Sequence, residues 1–344
     1  MPKSSILYND YIMKYLFIIW CLFSPPIFGM THFGTWSEWS SFNNLPQKFD
    51  YLKKSNARLH LAIKKDELTD SNFKDLISFL KKAESEKIHY WLWPLLSKSD
   101  GYWPNQWNMS IYSQYVRELV VRLEKQNLHP QGISIDLEPP PEKLEKYLKL
   151  LQALKIKELH QFSSDGIDEN LFKNASIELS SLYQFLKNKK MVTHIVTTPF
   201  LLEPKYTLRL QKVFGIPIIK DYFDYISFMA YRSEFERLIG EMNSRLVYDY
   251  SLKAKEMYGE KAGIDLGVVG NIEFPHKLTG YSDPSRLWED IAAAKAAGIT
   301  KIQVYCLEGI HSDEWLKEVE PKVPFWSLKF FFTNSFLTFL FSQI

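Results

Sequence analysis

Two carboxylic acids, Asp136 and Glu138, have the residue types and spacing that acid–base chemistry requires. They end the mostly apolar run 132–138, which reads as a buried strand and is stopped by three prolines at 139–141. Because side chains alternate along a strand, both acids share one face, roughly 6–7 Å apart at the backbone. One acid can then keep its proton while the other stabilises positive charge. In the alternative interpretation, both acids merely pair with a nearby lysine or arginine.

The elements that would position these acids alternate between short apolar runs and helical patterns, which is typical of βα units and a parallel sheet. Eight such units predict an α/β fold of the (β/α)8 type, a TIM barrel with outer helices, whose chemistry lies at the C-terminal strand ends. An open doubly wound sheet is the competing fold, but no glycine-rich phosphate loop follows any strand. The predicted strands are 32–36, 58–63, 88–95, 132–138, 192–198, 225–231, 264–270 and 302–307.

Helices are predicted between these strands from apolar residues at helical spacing. The clearest are 72–87, 110–126 and 285–297, the last closed by Gly298. The segment 142–190 is long enough for two helices joined near 163–166. A single barrel domain over 31–322 accommodates all of these elements.

Both ends of the chain are apolar. Residues 1–30 hold a short apolar core between Lys14 and two prolines, which predicts a signal peptide, with translation starting either at Met1 or at Met13. A membrane anchor is the alternative. Residues 323–344 form a phenylalanine-rich tail that reads as a weak anchor, a docked helix or an aberrant chain end. We therefore expect a secreted or cell-envelope protein, with membrane association through either end as the alternative.

The amino-acid composition limits the classes of molecule that this protein is expected to bind. Lys and Arg number 42 against 40 Asp and Glu, so there is no basic excess for binding nucleic acid. Aromatic residues make up 15% of the chain and include 10 tryptophans, which favours a carbohydrate partner. No cluster of histidines and cysteines has the spacing of a metal site, and we expect neither a metal nor a cofactor.

Aromatic side chains near the predicted strand ends are candidate sugar contacts, because their faces bind the C–H faces of sugar rings. Four follow the third strand: Trp93, Tyr102, Trp103 and Trp107. Packing within their own loop is an equally good interpretation, and we expect at least one of them to line the cleft. Trp36 ends the first strand and is a further candidate. Glu38 is more consistent with a solvated loop charge than with an acid of the site.

The fourth predicted strand resembles the signature of family-18 glycoside hydrolases, the chitinases and endo-β-N-acetylglucosaminidases. Their pattern is Asp-Gly-x-Asp-x-Asp-x-Glu, and this chain has Gln131-Gly132-Ile133-Ser134-Ile135-Asp136-Leu137-Glu138. Met229-Ala230-Tyr231 is similar to the family's Met-x-Tyr on the sixth strand, and Leu266-Gly267 to its Leu-Gly on the seventh. The resemblance covers most of residues 31–320 at the level of motifs.

This resemblance implies retaining hydrolysis assisted by the substrate's own acetamido group. Glu138 would be the general acid, Asp136 would orient the acetamido group and stabilise the oxazolinium ion, and Tyr231 would hydrogen-bond the acetamido carbonyl. The resemblance also makes Tyr305 the counterpart of an aromatic residue at the floor of the subsite, with Met229 beside it. The implied activity is cleavage of an oligo- or polysaccharide that contains N-acetylated amino sugars.

Three residues depart from the family pattern. Ser134 and Gln131 stand where the family has acids, and Arg232 follows Tyr231 where many members have Asp. A guanidinium at that position could clamp Asp136 or bind an anionic group of the substrate. These departures motivate a second hypothesis, a catalytically inactive carbohydrate-binding barrel of the same fold.

Overall fold

The computed structural model describes residues 30–153, 155, 157–158, 161–162, 167–272, 278–312 and 314–325. The chain divides into two compact units at Met30 and Thr31, and all elements described below belong to the second. The predicted signal peptide, the predicted helix junction near 163–166 and most of the C-terminal tail lie outside the described residues. Within the described ranges, none of the helices has both the length and the apolar character needed to cross a membrane.

Eight parallel strands close into a barrel with the ring order β1-β10-β7-β6-β5-β4-β3-β2, which confirms the predicted (β/α)8 fold. Closure follows from β1, which pairs in parallel with β10 on one side and with β2 on the other. Because all eight strands run the same way, their C-terminal ends meet at one mouth of the barrel. The barrel strands are β1 (His32–Ser37), β2 (Arg58–Lys64), β3 (Tyr90–Leu95), β4 (Gly132–Leu137), β5 (Val192–Thr197), β6 (Tyr225–Met229), β7 (Ala262–Gly267) and β10 (Lys301–Tyr305).

Helices cover the outside of the barrel, and the three clearest predictions are confirmed to within a turn. The α2 helix shows why: its N-cap Thr69 accepts a hydrogen bond from the Asn72 N–H, and Phe73, Leu76 and Leu80 lie buried against the barrel. The described helices are α1 (Phe49–Ser55), α2 (Asp70–Ser85), α3 (Met109–Glu124), α4 (Pro141–Gln152), α5 (Glu169–Asn188), α6 (Thr207–Phe214), α7 (Arg232–Ile239), α8 (Arg245–Tyr258) and α9 (Pro284–Ala296).

Three predicted strands, 225–231, 264–270 and 302–307, extend at least two residues too far at their C-terminal ends, and one small element was missed. The run 264–270 ends as a strand at Gly267, whose φ of +139° leaves the extended region. The run 225–231 ends at Met229. Beyond β7 the chain forms a two-stranded antiparallel pair, β8 (Asn271–Ile272) and β9 (Leu278–Thr279), too short to give a sequence pattern.

The two faces of the barrel strands have different environments. On β4, Ile133, Ile135 and Leu137 point outward and are fully buried in the main apolar core beneath the helices. The opposite face points into the barrel, where Ser134 and Asp136 lie. A smaller apolar cluster fills the barrel near its mouth and includes Trp36, Trp93, Tyr102, Tyr305 and the free Cys306. The alternation on β4 therefore sends one face to the core and the other to the mouth.

Candidate active site

A cavity of about 450 Å³ opens at the mouth of the barrel. The segments that follow β1, β3, β4, β5, β6 and β10 all contribute side chains to it, as expected where parallel strand ends converge. Its lining includes Trp36, Glu38, Trp93, Trp103, Asp136, Glu138, Leu144, Val196, Phe200, Met229, Tyr231, Phe235 and Tyr305.

Asp136 and Glu138 both line this cavity, so the structure brings together the two acids singled out from the sequence. Asp136 is 4% exposed and Glu138 is 9% exposed. Neither acid has an ion-pair partner among the described residues. The interpretation that they only neutralise a nearby lysine or arginine therefore has no support in the described part of the chain.

Burial without a compensating cation raises the pKa of both acids. The pKa of Glu138 rises to about 8, first because of burial and then because of the negative charge of Glu38. The pKa of Asp136 is also raised, by burial and by the charges of Glu138, Asp265 and Glu38. Its Oδ1 atom is buried without a hydrogen-bond partner among the described residues. At neutral pH, Glu138 therefore holds a proton that it can donate.

Tyr231 stands beside the acids at the start of α7 and lines the cavity with Met229. Its ring stacks on Tyr305, with 5.9 Å between centroids and 27° between planes. Burial and the nearby carboxylates raise the pKa of Tyr231, so the phenol stays protonated and can donate a hydrogen bond into the cavity.

Four aromatic residues form one wall of the cavity: Trp36, Trp93, Trp103 and Tyr305. Trp36 meets Trp93 edge to face, with 4.9 Å between ring centroids. Its indole N–H donates to Asp265 Oδ1 at 2.8 Å, which fixes the ring. Trp36, Trp93 and Tyr305 are buried and Trp103 is half-buried, so Trp103 has the most exposed ring of this wall for stacking on a sugar.

Two aromatic residues predicted to contact substrate are not part of this wall. Tyr102 is buried behind it, where its ring meets Trp103 edge to face at 5.3 Å. Trp107 is 44% exposed and packs against Gly215, where an added Cβ would lie 2.4 Å from the ring. Loop packing takes both side chains away from the cavity lining, and direct substrate contact by Tyr102 and Trp107 stays a prediction.

Arg232 is also placed differently from its prediction. The side chain is 1% exposed, and its guanidinium pairs with Asp290 at 3.2 Å and with Glu289 at 3.2 Å. It also donates to the Tyr281 hydroxyl at 3.1 Å. The guanidinium is therefore held by residues of α9 and of the segment before it, and it neither pairs with Asp136 nor lines the cavity.

Glu38 was missed as a site residue. It is 8% exposed, lines the cavity, and accepts hydrogen bonds from the hydroxyls of Tyr102 and Tyr305. Burial raises its pKa to about 7, against the opposing effect of these two phenols. The signal was present in the sequence: alternation that points Trp36 inward also points Glu38 inward two residues later.

Beneath the acids, serine and histidine side chains inside the barrel form a buried hydrogen-bonded chain. Ser134 Oγ lies 2.8 Å from His60 Nδ1 and 3.3 Å from His194 Nδ1, and His194 Nε2 lies 2.8 Å from Ser227 Oγ. Burial lowers the pKa of both histidines, that of His194 to about 3, so both are uncharged at neutral pH. Ser134, which stands where the family motif has an acid, is thus a hydrogen-bonding link between two neutral histidines.

Within the described residues, no group of three or more His, Cys, Asp and Glu side chains has an arrangement that could hold a metal ion.

No protein-family model matches this chain, and no curated protein sequence matches it. Solved structures do. A class V chitinase from Pseudomonas fluorescens Pf-5 aligns with a TM-score of 0.50 and 12% identity, over 83% of this chain and 97% of the chitinase. A β-glucosidase from Thermotoga maritima in complex with deoxynojirimycin aligns with a TM-score of 0.50 and 12% identity, over 77% of each chain. These likenesses show that the chain shares its (β/α)8 barrel fold with glycoside hydrolases.

Proposed function

We propose that this protein is a glycoside hydrolase that cleaves oligo- or polysaccharides containing N-acetylated amino sugars. The observation that carries the proposal is the acid pair: Asp136 and Glu138 line one cavity, and the pKa of Glu138 is raised to about 8. A carboxylic acid that is protonated at neutral pH and faces a cavity has the property that a general acid needs.

In the proposed reaction, Glu138 donates its proton to the glycosidic oxygen as the bond from that oxygen to the anomeric carbon breaks. The acetamido oxygen of the same sugar attacks the anomeric carbon and forms an oxazolinium ion. In this step Asp136 acts in its ionised form, because the positive charge that develops on the sugar opposes the burial and the neighbouring carboxylates that raise its pKa in the empty site. It accepts the acetamido N–H and stabilises that charge, while the Tyr231 hydroxyl donates to the acetamido oxygen. Glu138 then takes a proton from water, which opens the oxazolinium ring, and the product keeps the anomeric configuration of the substrate.

The aromatic wall supports a sugar as the ligand. The cavity lining includes the rings of Trp36, Trp93, Trp103 and Tyr305, and aromatic rings are the groups on which pyranose rings stack. Carboxylates and a phenol lie next to these rings, so hydroxyl and amide groups of the sugar find hydrogen-bond partners.

Replacement of Glu138 by Gln tests the proposal because it removes the proton donor with little change in volume. We expect Glu138→Gln to lower the hydrolysis of N-acetylchitotetraose by about 10²–10⁴-fold, the usual contribution of a general acid. The matched control is Glu142→Gln, the same change at an exposed position of α4, which should keep wild-type activity. Proton NMR of the first product should show retained configuration. Equal sugar release by wild type and Glu138→Gln would contradict the assignment.

Ser134 favours a second candidate, a sugar-binding barrel without turnover. Its hydroxyl lies between His60 and His194 where the family motif has an acid, so Asp136 has no carboxyl neighbour at that position with which to share a proton. Binding of N-acetylchitotetraose without any product, unchanged by Glu138→Gln, would select this candidate over the hydrolase.

A further inference from the structure

Glu38 is a buried carboxylate of the cavity that has no role in the reaction proposed above. It follows β1, which is separated from β4 and the acid pair by β2 and β3 in the ring. It nevertheless lines the same cavity as Asp136 and Glu138, and it is 8% exposed. A buried charge is costly, so a structural acid would be expected to have a cation in direct contact.

Among the described residues, Glu38 is held by two phenols and has no ion-pair partner. The Tyr102 hydroxyl donates to Oε1 at 2.5 Å, and the Tyr305 hydroxyl donates to Oε2 at 2.6 Å. Trp39 Nε1 donates in turn to the Tyr305 hydroxyl at 3.2 Å. Both carboxylate oxygens are thus fixed in place, and each keeps a lone pair that can accept from a ligand.

Glu38 carries a negative charge at the pH near which Glu138 loses its proton. Its pKa is about 7, raised by burial and by Glu308, and lowered by the two phenols and by Lys64. Lys64 is shared with other partners: its Nζ lies 3.5 Å from Glu67 and 4.4 Å above the Trp39 ring. At pH 8, Glu38 is therefore ionised, and its charge raises the pKa of Glu138.

We propose that Glu38 is a substrate-binding residue, which accepts hydrogen bonds from hydroxyl groups of the sugar next to Glu138 and whose negative charge helps Glu138 to keep the proton it donates. This inference rests on the proposed hydrolase function. It assigns a role to the length of the Glu38 side chain and a second role to its negative charge. Each of these two properties can be changed by a separate substitution.

The experiment compares Glu38→Gln, which removes the charge, with Glu38→Asp, which keeps the charge but shortens the side chain. Binding of N-acetylchitotetraose is measured by the fluorescence of the cavity tryptophans, and its hydrolysis is measured from pH 5 to 10. Glu38→Gln should weaken binding about tenfold, the usual effect of a lost hydrogen bond to a charged group. It should also move the alkaline limb of kcat/KM down by about one pH unit. Glu38→Asp should weaken binding similarly and leave the limb in place.

A further variant changes the ionisation of Glu38 without replacing it, which controls for a folding defect in the Glu38 variants. Tyr102→Phe removes one phenol from behind the cavity wall and should move the alkaline limb in the same direction as Glu38→Gln, because Glu38 then holds its proton more tightly. If the wild type hydrolyses the sugar but the limb and the affinity are unchanged in Glu38→Gln and Tyr102→Phe, the role of Glu38 is overturned while the hydrolase stands. If the wild type neither binds nor cleaves the sugar, both proposals are overturned.

Discussion

Glu138 and Asp290 are buried acids with similarly raised pKa values, but one faces a cavity and the other is packed against a cation and a phenol. The pKa of Glu138 is about 8 and that of Asp290 is about 7, and burial is the largest cause for both. Glu138 faces the cavity at the barrel mouth. Asp290 lies in α9, fully buried, against the Arg232 guanidinium and the Tyr281 hydroxyl, which donates to it at 2.7 Å.

The comparison shows that a raised pKa alone does not mark a catalytic acid. Asp290 is held by a cation and a phenol and has no space in front of it for a substrate, which suits a structural role. Glu138 has a cavity in front of it and no ion-pair partner among the described residues. We therefore propose that Glu138 at the barrel mouth takes part in chemistry and that the outer pair, Arg232 and Asp290, contributes to stability, and the following changes separate the two roles.

Removal of Arg232 should have the largest effect on stability. Arg232→Met leaves Asp290 buried without its cation, and we expect a loss of about 3–5 kcal/mol in the free energy of unfolding. Urea denaturation measures this value. The control is Arg209→Met at an exposed site, which should change stability by less than about 0.5 kcal/mol. Equal stability of the two variants would remove the structural role of the outer pair.

Glu138→Gln should have the opposite effect on stability, and only at high pH. A buried acid whose pKa is raised binds its proton more tightly in the folded chain than in the unfolded chain, so wild-type stability falls as pH rises from about 4.5 to about 8. Gln does not titrate. We expect the variant to be more stable than wild type by on the order of 4 kcal/mol at pH 8 and equal at pH 4. Urea denaturation at both pH values tests this, and a variant that is less stable at pH 8 would contradict it.

The smallest expected effect is on sugar affinity, and it distinguishes Trp103 in the aromatic wall from Trp107 outside it. Trp103 lines the cavity, whereas Trp107 packs against Gly215. Trp103→Ala should weaken binding of N-acetylchitotetraose about fivefold, since an aromatic stacking contact contributes about 1 kcal/mol. Trp107→Ala should leave the affinity within about twofold. Isothermal titration calorimetry measures both, and an equal loss in the two variants would mean that the cavity is not the sugar site.

The parts of the site that the sequence predicted follow from local rules. Alternation along β4 requires Asp136 and Glu138 to share a face, and the order of the strands places that face at the barrel mouth. The same rule applied to Trp36 would have placed Glu38 in the cavity, but its position beyond the predicted strand end suggested a solvated charge.

The parts that the sequence did not predict depend on contacts between distant segments. Arg232 adjoins Tyr231 in the chain, but it turns toward α9 because Asp290 and Tyr281 lie there. Trp107 leaves the wall because Gly215 offers its ring a close contact. No pattern near Arg232 or Trp107 shows these partners, since folding brings them together from other parts of the chain.

The most direct test of the central claim is the ionisation of Glu138 itself. Carboxyl carbons of glutamate can be labelled with ¹³C and followed by NMR from pH 3 to 10, and the Glu138 signal is identified by its loss in Glu138→Gln. The structure predicts a midpoint near pH 8, because the acid is buried beside Glu38. A midpoint near the ordinary value of about 4.3 would mean that Glu138 is ionised at neutral pH and has no proton to donate.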